Sequence, residues 1–211
     1  TTFIEQLGFD RAKSVYDVSN TSCDETNVLL QAKDFGVDLV YFNKDEKNNS
    51  VFPAAFFKRV ANFQDTSILK EIANIQRKVW NYKKVLFLYV YSDTEIRIYS
   101  CSEKPLIVTK ENFDYEKELQ TVEIKSYLYS DKEQLKELNK LFSRIAIDTG
   151  IVWTLKEAQF IRDKISLQKR VDKYLVQSLI NTANQLQEQG LKMDFIHKII
   201  LRSLFLLYLE D

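Results

Sequence analysis

Val85-Leu86-Phe87-Leu88-Tyr89-Val90-Tyr91 is apolar at nearly every position, without alternation. A strand that reads this way is buried on both faces and needs cover on both. Working outward, Ser92-Asp93-Thr94 turns the chain and Glu95 to Cys101 alternates, so the spacing predicts a second strand paired with the first. Upstream, Asp65 or Thr66 caps a helix running to about Tyr82, with Ile68, Leu69, Ile72, Ile75, Val79 and Trp80 on its apolar side. Val51 to Val60 reads as a strand with Pro53 near its start, Asp45 to Ser50 as a polar turn, and Val37 to Phe42 as another strand. A helix opening at Asp24 or Glu25, carrying Val28, Leu29, Leu30 and Ala32, stops at Gly36, which tolerates positive φ. The order helix, strand, strand, helix, strand, strand predicts a mixed α/β (α+β) sheet with helices packed on it.

Beyond Pro105 the pattern weakens, and Asp114 to Tyr129 reads equally as helix or short strand. From Asp131 it is helical. Leu135, Leu138, Leu141, Phe142 and Ile145 share one side of a helix to Ile147, and a linker with Gly150 follows. Val171 to Gln189 is amphipathic and ends at Gly190, and Asp194 caps a last helix, Phe195 to Leu209. The expected division is an α/β domain, residues 1–127, and an all-α region, residues 128–211. The last helix is apolar around nearly its whole circumference, so it must be covered all round. It is either the centre of a small bundle or is covered by chain beyond Asp211 or by a second copy in a homodimer.

Apolar residues make up 45 % and charged residues 28 % of the chain, a globular balance without a disordered stretch. The formal net charge is +0, and either side of Leu128 is close to neutral, so any contact with DNA must be local. Cys23 and Cys101 are far apart and lack metal-ligand spacing. Two reduced thiols and no signal peptide suggest a cytoplasmic protein. His197, Lys198, Arg202 and Ser203 interrupt the most apolar stretch, so no membrane span or membrane partner is expected. His197 is the only histidine, and its place on an apolar helix points to a structural role.

Several segments resemble, in their order and spacing, the large bacterial adenine-specific (N6) DNA methyltransferases of the type IIG restriction-modification kind. They are Ile75-Gln76-Arg77-Lys78-Val79-Trp80-Asn81, Val85 to Val90, and Thr94-Glu95-Ile96-Arg97-Ile98-Tyr99-Ser100-Cys101. Further on come Phe142-Ser143-Arg144, Ile147-Asp148-Thr149-Gly150 with Trp153, Arg170-Val171-Asp172 and Leu201 to Asp211. The resemblance spans residues from about 35 to 211. It implies an α/β region, then a helical connector, then a methyltransferase domain as the chain's own downstream partner. Adenine methylation needs a Gly-rich loop for S-adenosylmethionine and an Asn/Asp-Pro-Pro-aromatic loop for the flipped base. Here the four glycines are isolated and the two prolines are not adjacent, so these residues alone are expected neither to bind the methyl donor nor to methylate.

The resemblance also implies a restriction-endonuclease-like front domain of the PD-(D/E)xK kind. That chemistry uses an Asp on one strand and Glu-x-Lys on the next, with two carboxylates holding Mg²⁺. Asp38 at the start of the first strand and Lys58 on the second fit, with Asp38 the expected metal ligand. Gln76, four residues before Trp80, echoes a Gln-x-x-x-aromatic arrangement of some of these nucleases. Phe56 stands where the second carboxylate belongs and cannot ligate a hard cation. Glu71 or Glu25 could substitute, but sequence places neither. Read without the resemblance, Asp38 is a turn residue, Lys58 a surface residue of an edge strand, and Gln76 and Trp80 are ordinary helix and core positions. The basic pairs Lys58-Arg59, Arg77-Lys78, Lys83-Lys84 and Lys169-Arg170 are candidate phosphate contacts. Three functions remain: a DNA- or domain-positioning module without activity alone, a Mg²⁺-dependent endonuclease using Asp38 and Lys58, and a protein-interaction module in phage defence.

Overall fold

The computed structural model describes residues 3–10, 14–20, 24–44, 50–102, 114–165 and 171–210. Six strands form one sheet in sequential order: β1 (Val15–Asp17), β2 (Leu39–Lys44), β3 (Val51–Arg59), β4 (Phe87–Tyr91), β5 (Glu95–Ser100) and β6 (Glu123–Leu128). Every neighbouring pair is antiparallel except β3 and β4, which are parallel. A parallel pair needs a crossover, and α3 (Thr66–Tyr82) supplies it.

Both faces of the sheet are covered. Against one pack α2 (Thr26–Phe35), α3 and α4 (Tyr115–Val122), through Leu29, Ile72, Val79 and Leu119, onto Val40, Phe56, Leu88, Val90 and Tyr99. Against the other pack α1 (Phe3–Gln6), α5 (Lys132–Phe142), α6 (Arg144–Asp148) and α7 (Gln159–Lys164), through Phe3, Leu138, Phe142, Ala146 and Ile161, onto Tyr41, Phe57, Tyr89, Ile98 and Tyr127. The mixed sheet with helices packed on it is therefore as the sequence reads, and the unbroken apolar run of β4 is explained by its two buried faces.

The chain reaches β2 through a sharp helix stop. Gly36 takes φ 95°, its N–H donates to the Lys33 carbonyl at 2.9 Å and the Val37 N–H to the Ala32 carbonyl at 3.2 Å. This is a Schellman closure, which favours glycine because a Cβ is strained at positive φ.

Elsewhere the structure refines the reading. Residues 114–129 are both things: α4 runs into β6 with no intervening turn. The single helix expected from Asp131 to Ile147 is two, because Ser143 leaves helical geometry (ψ 163°) and its side chain accepts from the Ala146 N–H to start α6. Ile145 is consequently 64 % exposed rather than on the buried side. The short β1 was not anticipated. The turn expected at 45–50 lies, Ser50 apart, outside the described residues, as do Cys23 and the Lys169-Arg170 pair.

The chain groups into two compact units, Thr1–Leu167 and Gln168–Asp211. The division falls later than the expected 127/128 because α5, α6 and α7 are part of the sheet's second cover. The second unit contains α8 (Val171–Glu188) and α9 (Met193–Glu210). Asp194 lies inside the first turn of α9 rather than capping it. Phe195, Leu201 and Phe205 of α9 are exposed, while Ile196 is buried. Among the described residues, no helix is long and apolar enough to cross a membrane.

Phe57 sits at the centre of the second core, its ring 4.9 Å from that of Phe9 and 4.9 Å from that of Tyr89. Phe57→Ala is expected to cost about 3–5 kcal/mol, while Leu30→Ala, at a position 54 % exposed, should stay within about 0.5 kcal/mol. Urea unfolding followed by far-ultraviolet circular dichroism checks both.

Candidate functional site

Asp38, Lys58 and Glu71 meet at one end of the sheet. Antiparallel pairing sets Leu39 opposite Phe57, which brings Asp38 beside Lys58. The Asp38 N–H donates to the Phe57 carbonyl at 2.8 Å, and its Oδ2 accepts from the Arg59 N–H at 2.7 Å. Its Oδ1 lies 3.6 Å from Lys58 Nζ. The same ammonium lies 2.9 Å from Oε1 of Glu71, in the second turn of α3. The Lys58 side chain is 16 % exposed, those of Asp38 and Glu71 41 % and 48 %. Lys58 is thus neither on an edge strand nor a free surface charge.

Phe56 explains why the second carboxylate comes from a helix. Residues 56 and 58 face the same side of β3, but Phe56 points under α3 and is fully buried, against the rings of Phe35 and Tyr82. A carboxylate there would be buried in an apolar core. One step nearer the end of the strand, Lys58 escapes that core and carries charge.

Burial presses the Lys58 ammonium toward neutrality, but Glu71 and Asp38 more than offset it, so it titrates above the ordinary lysine range. Tyr91, at the end of β4, is also raised, by burial first and then by the Asp38 carboxylate. Arg59 pairs with Asp93 at 3.0 Å on the exposed rim.

The donor set can be tested against Mg²⁺, which takes oxygen ligands, commonly one or two carboxylates, and keeps several waters. Among the described residues, no group of three or more His, Cys, Asp and Glu could hold a metal. Asp38 and Glu71 form a pair, and the Phe57 carbonyl has one lone pair beyond the bond from Asp38. With the Lys58 ammonium paired to both carboxylates, these residues form a charge cluster and not a metal-ligand set.

The other candidates are not at this cluster. Gln76 is fully buried and donates from Nε2 to the Ser100 carbonyl at 3.0 Å. Ser100 pairs with Phe87 at the opposite end of β4 from Val90, the partner of Lys58. Gln76 and Trp80 are core positions, and Gln76 does not join Asp38 and Lys58. The basic residues proposed for DNA do not form one patch. Arg77 donates to Asn74, and Lys78 caps α2 through the Asp34 carbonyl at 2.7 Å. Lys83 closes α3 at φ 64°, and Lys84 lies over the Tyr82 ring. At 1.5 Å per residue, Lys83 is about 18 Å along α3 from Glu71. Only Lys58 and Arg59 of that set belong to the cluster. His197 is exposed, and burial pushes the Cys101 thiol well above its ordinary range.

A second partly buried cation went unread in the sequence. Arg97 Nε donates to Glu95 at 2.6 Å, its Nη1 is 3.9 Å from Glu123, and its guanidinium lies over the Phe63 ring at 4.4 Å. Val90 pairs with both Lys58 and Arg97, so the two cations share a row on one sheet face. Burial raises the Glu123 carboxyl above its ordinary range, against the pull of Arg97. At the other end of β2, a cleft of about 450 Å³ holds Tyr41, whose hydroxyl donates to Asp148, and Arg144, 3.1 Å from the same carboxylate. The Asp148 carboxylate accepts from both and docks α6, while Arg144 Nε is buried without a hydrogen-bond partner.

Two expectations follow. The stability Lys58 contributes is fully present below the ordinary lysine value of 10.5 and is lost as pH rises through its raised value. Lys58→Met should therefore remove part of the alkaline loss of stability seen in thermal melts between about pH 9 and 12. Phe56→Glu should destabilise by at least about 3 kcal/mol and Phe56→Leu by less than about 1.5 kcal/mol, read by urea unfolding at neutral pH. No family model, curated protein or solved structure matches this chain.

Proposed function

We propose that this chain is the front part of an adenine-specific restriction-modification DNA methyltransferase. The Thr1–Leu167 unit is its nuclease-like domain, and it positions DNA, or the downstream catalytic domain, without cutting alone. The observation that supports this most is the closed cluster at the end of β3. An Asp and a Lys stand on neighbouring strands as a nuclease requires, but the lysine ammonium occupies the place between the carboxylates. A lysine paired to both carboxylates takes up the oxygens that would hold Mg²⁺, the ion that would activate a water. The exposed apolar positions of α9 suit a helical connector that packs against a further domain. S-adenosylmethionine would belong to that domain.

A second reading, a Mg²⁺-dependent endonuclease, is favoured by one observation: Glu71 brings a second carboxylate to within 2.9 Å of Lys58 Nζ. In that case Asp38 and Glu71 would hold the ion and Lys58 would stabilise charge on the phosphate.

Supercoiled plasmid incubated with Mg²⁺ or Mn²⁺ separates the two. The positioning reading expects no nicking. Nicking that disappears in Asp38→Ala, Lys58→Ala and Glu71→Ala would sink it and establish the enzyme. A duplex-binding titration at several salt concentrations should show affinity falling as salt rises. Salt-independent affinity, or no binding, would instead favour a protein-interaction module.

A further inference from the structure

We infer that Glu95, Arg97, Tyr99 and Glu123 form a proton-operated latch beside the joint of α4 and β6. On mild acidification Glu123 takes a proton, leaves Arg97 to Glu95 and turns to the Tyr99 hydroxyl. The inference is independent of the nuclease-like reading of the domain.

The charges in this cluster do not balance. One guanidinium faces two carboxylates, and all three side chains are enclosed: Arg97 is 13 % exposed, Glu95 14 % and Glu123 16 %. A surplus negative charge in such a place has little water to stabilise it, and a proton removes it. The distances show which carboxylate yields. Glu95 holds Arg97 Nε at 2.6 Å, whereas Glu123 stands 3.9 Å from Nη1, beyond hydrogen-bond reach. Arg97 is the one ion pair of Glu123 among the described residues.

Basic groups on the elements around the joint are engaged elsewhere: Lys125 with Glu137, Lys164 with the Thr121 carbonyl and Arg77 with Asn74. Glu116 of α4 adds negative potential at Glu123. Burial first, then Glu95 and Glu116, hold the Glu123 carboxyl above its ordinary value of 4.5, against the pull of Arg97 and a hydrogen bond from Ser126.

Tyr99 gives the protonated group a new partner. It is the cross-strand neighbour of Glu123, so the two side chains share one face of the sheet. Its hydroxyl is buried without a hydrogen-bond partner and feels the charges of both Glu123 and Arg97. A neutral carboxyl can donate to that oxygen or accept its proton. Once Glu123 has turned, the guanidinium keeps one ion pair, and its contact over the Phe63 ring, at 4.4 Å, loosens. The latch thereby links proton uptake to the loop between β3 and α3.

The folded protein binds this proton more tightly than the unfolded chain does. The stability it contributes is fully present below 4.5 and is lost as pH rises through the raised value. Carboxyl ¹³C shifts of the full chain, assigned through the backbone and followed from about pH 4 to 8, read the proton directly. The Glu123 carboxyl should titrate above 4.5, and the Phe63 ring protons should move with the same midpoint. Tyr99→Phe should lower that midpoint, because protonated Glu123 then lacks its new partner. Glu123→Gln carries the neutral form, so in thermal melts at neutral pH it should be at least as stable as the unaltered protein, with the advantage shrinking in acid. A plain structural ion pair has the opposite sign, a Glu123→Gln less stable at neutral pH. That result in a folded variant overturns the inference. So does a Glu123 midpoint at or below 4.5, a Phe63 ring that stays still while Glu123 titrates, or a midpoint unmoved by Tyr99→Phe. If Glu123→Gln does not fold, the titration of the unaltered protein decides.

Discussion

Strand β3 lies between β2 and β4 with a helical layer over each face, and that burial governs the rest of the molecule. Ala55 and Phe57 enter one core, Phe56 the other, and all three are fully buried. Such positions accept only groups that need no water, since an unpaired charge in either core would cost several kcal/mol. Charge can therefore first appear on this strand at Lys58, where the sheet ends. The parallel β3–β4 pair brings the ends of two strands to this place together. In open α/β sheets, the ends of parallel strands are where ligands bind.

From this constraint the composition of the cluster follows. A nuclease of the implied kind places its second carboxylate two residues before the lysine, and here that position fills the core beneath α3. The crossover from β3 to β4 must pack on the same face, so its first turns lie over the end of β3. Glu71 is where the helix brings a carboxylate to Lys58. What the strand cannot carry, the crossover helix can, because one side of a surface helix stays wet. The result is a charge cluster at the boundary between core and solvent, where electrostatic interactions are stronger than in water without the full cost of burial.

Much of this was legible in the residues. Val85 to Tyr91 announces two covered faces, the stop at Gly36 gives the start of β2, and the spacing between Asp38 and Lys58 suits two paired strands. What escaped was set by three-dimensional packing. The pattern from Tyr115 to Leu128 carries no glycine or proline between helix and strand, so nothing marks where α4 ends and β6 begins. Ser143 breaks a helix through a side-chain cap that an apolar count does not register. Glu71 stands thirteen positions after Lys58, and no periodicity links them; only the crossing of α3 over β3 brings them together. Gln76 misled for the converse reason. It lies on the same helix as Glu71, but its side chain faces β5, so its amide serves the end of that strand. Basic residues adjacent in sequence separate in space when they cap helices, as Lys78 and Lys83 do.

The two partly buried cations then bear on one question: what holds α3 at the height that lets Glu71 reach Lys58. The loop between β3 and α3 is pinned by Phe63, which is buried with the Arg97 guanidinium against its ring. Arg97 is fixed in turn by Glu95 and Glu123, on the strands either side of the β5–β6 pairing. Glu123 is retained there although burial raises its carboxyl, so the arrangement is held by the ion pair and ring contact together rather than by apolar packing alone. Val90 alone separates Arg97 from Lys58 across the sheet, so the two cations stand in one row on the face that α3 covers. The row therefore fixes the start of α3 through the Phe63 ring, at the height from which Glu71 reaches Lys58.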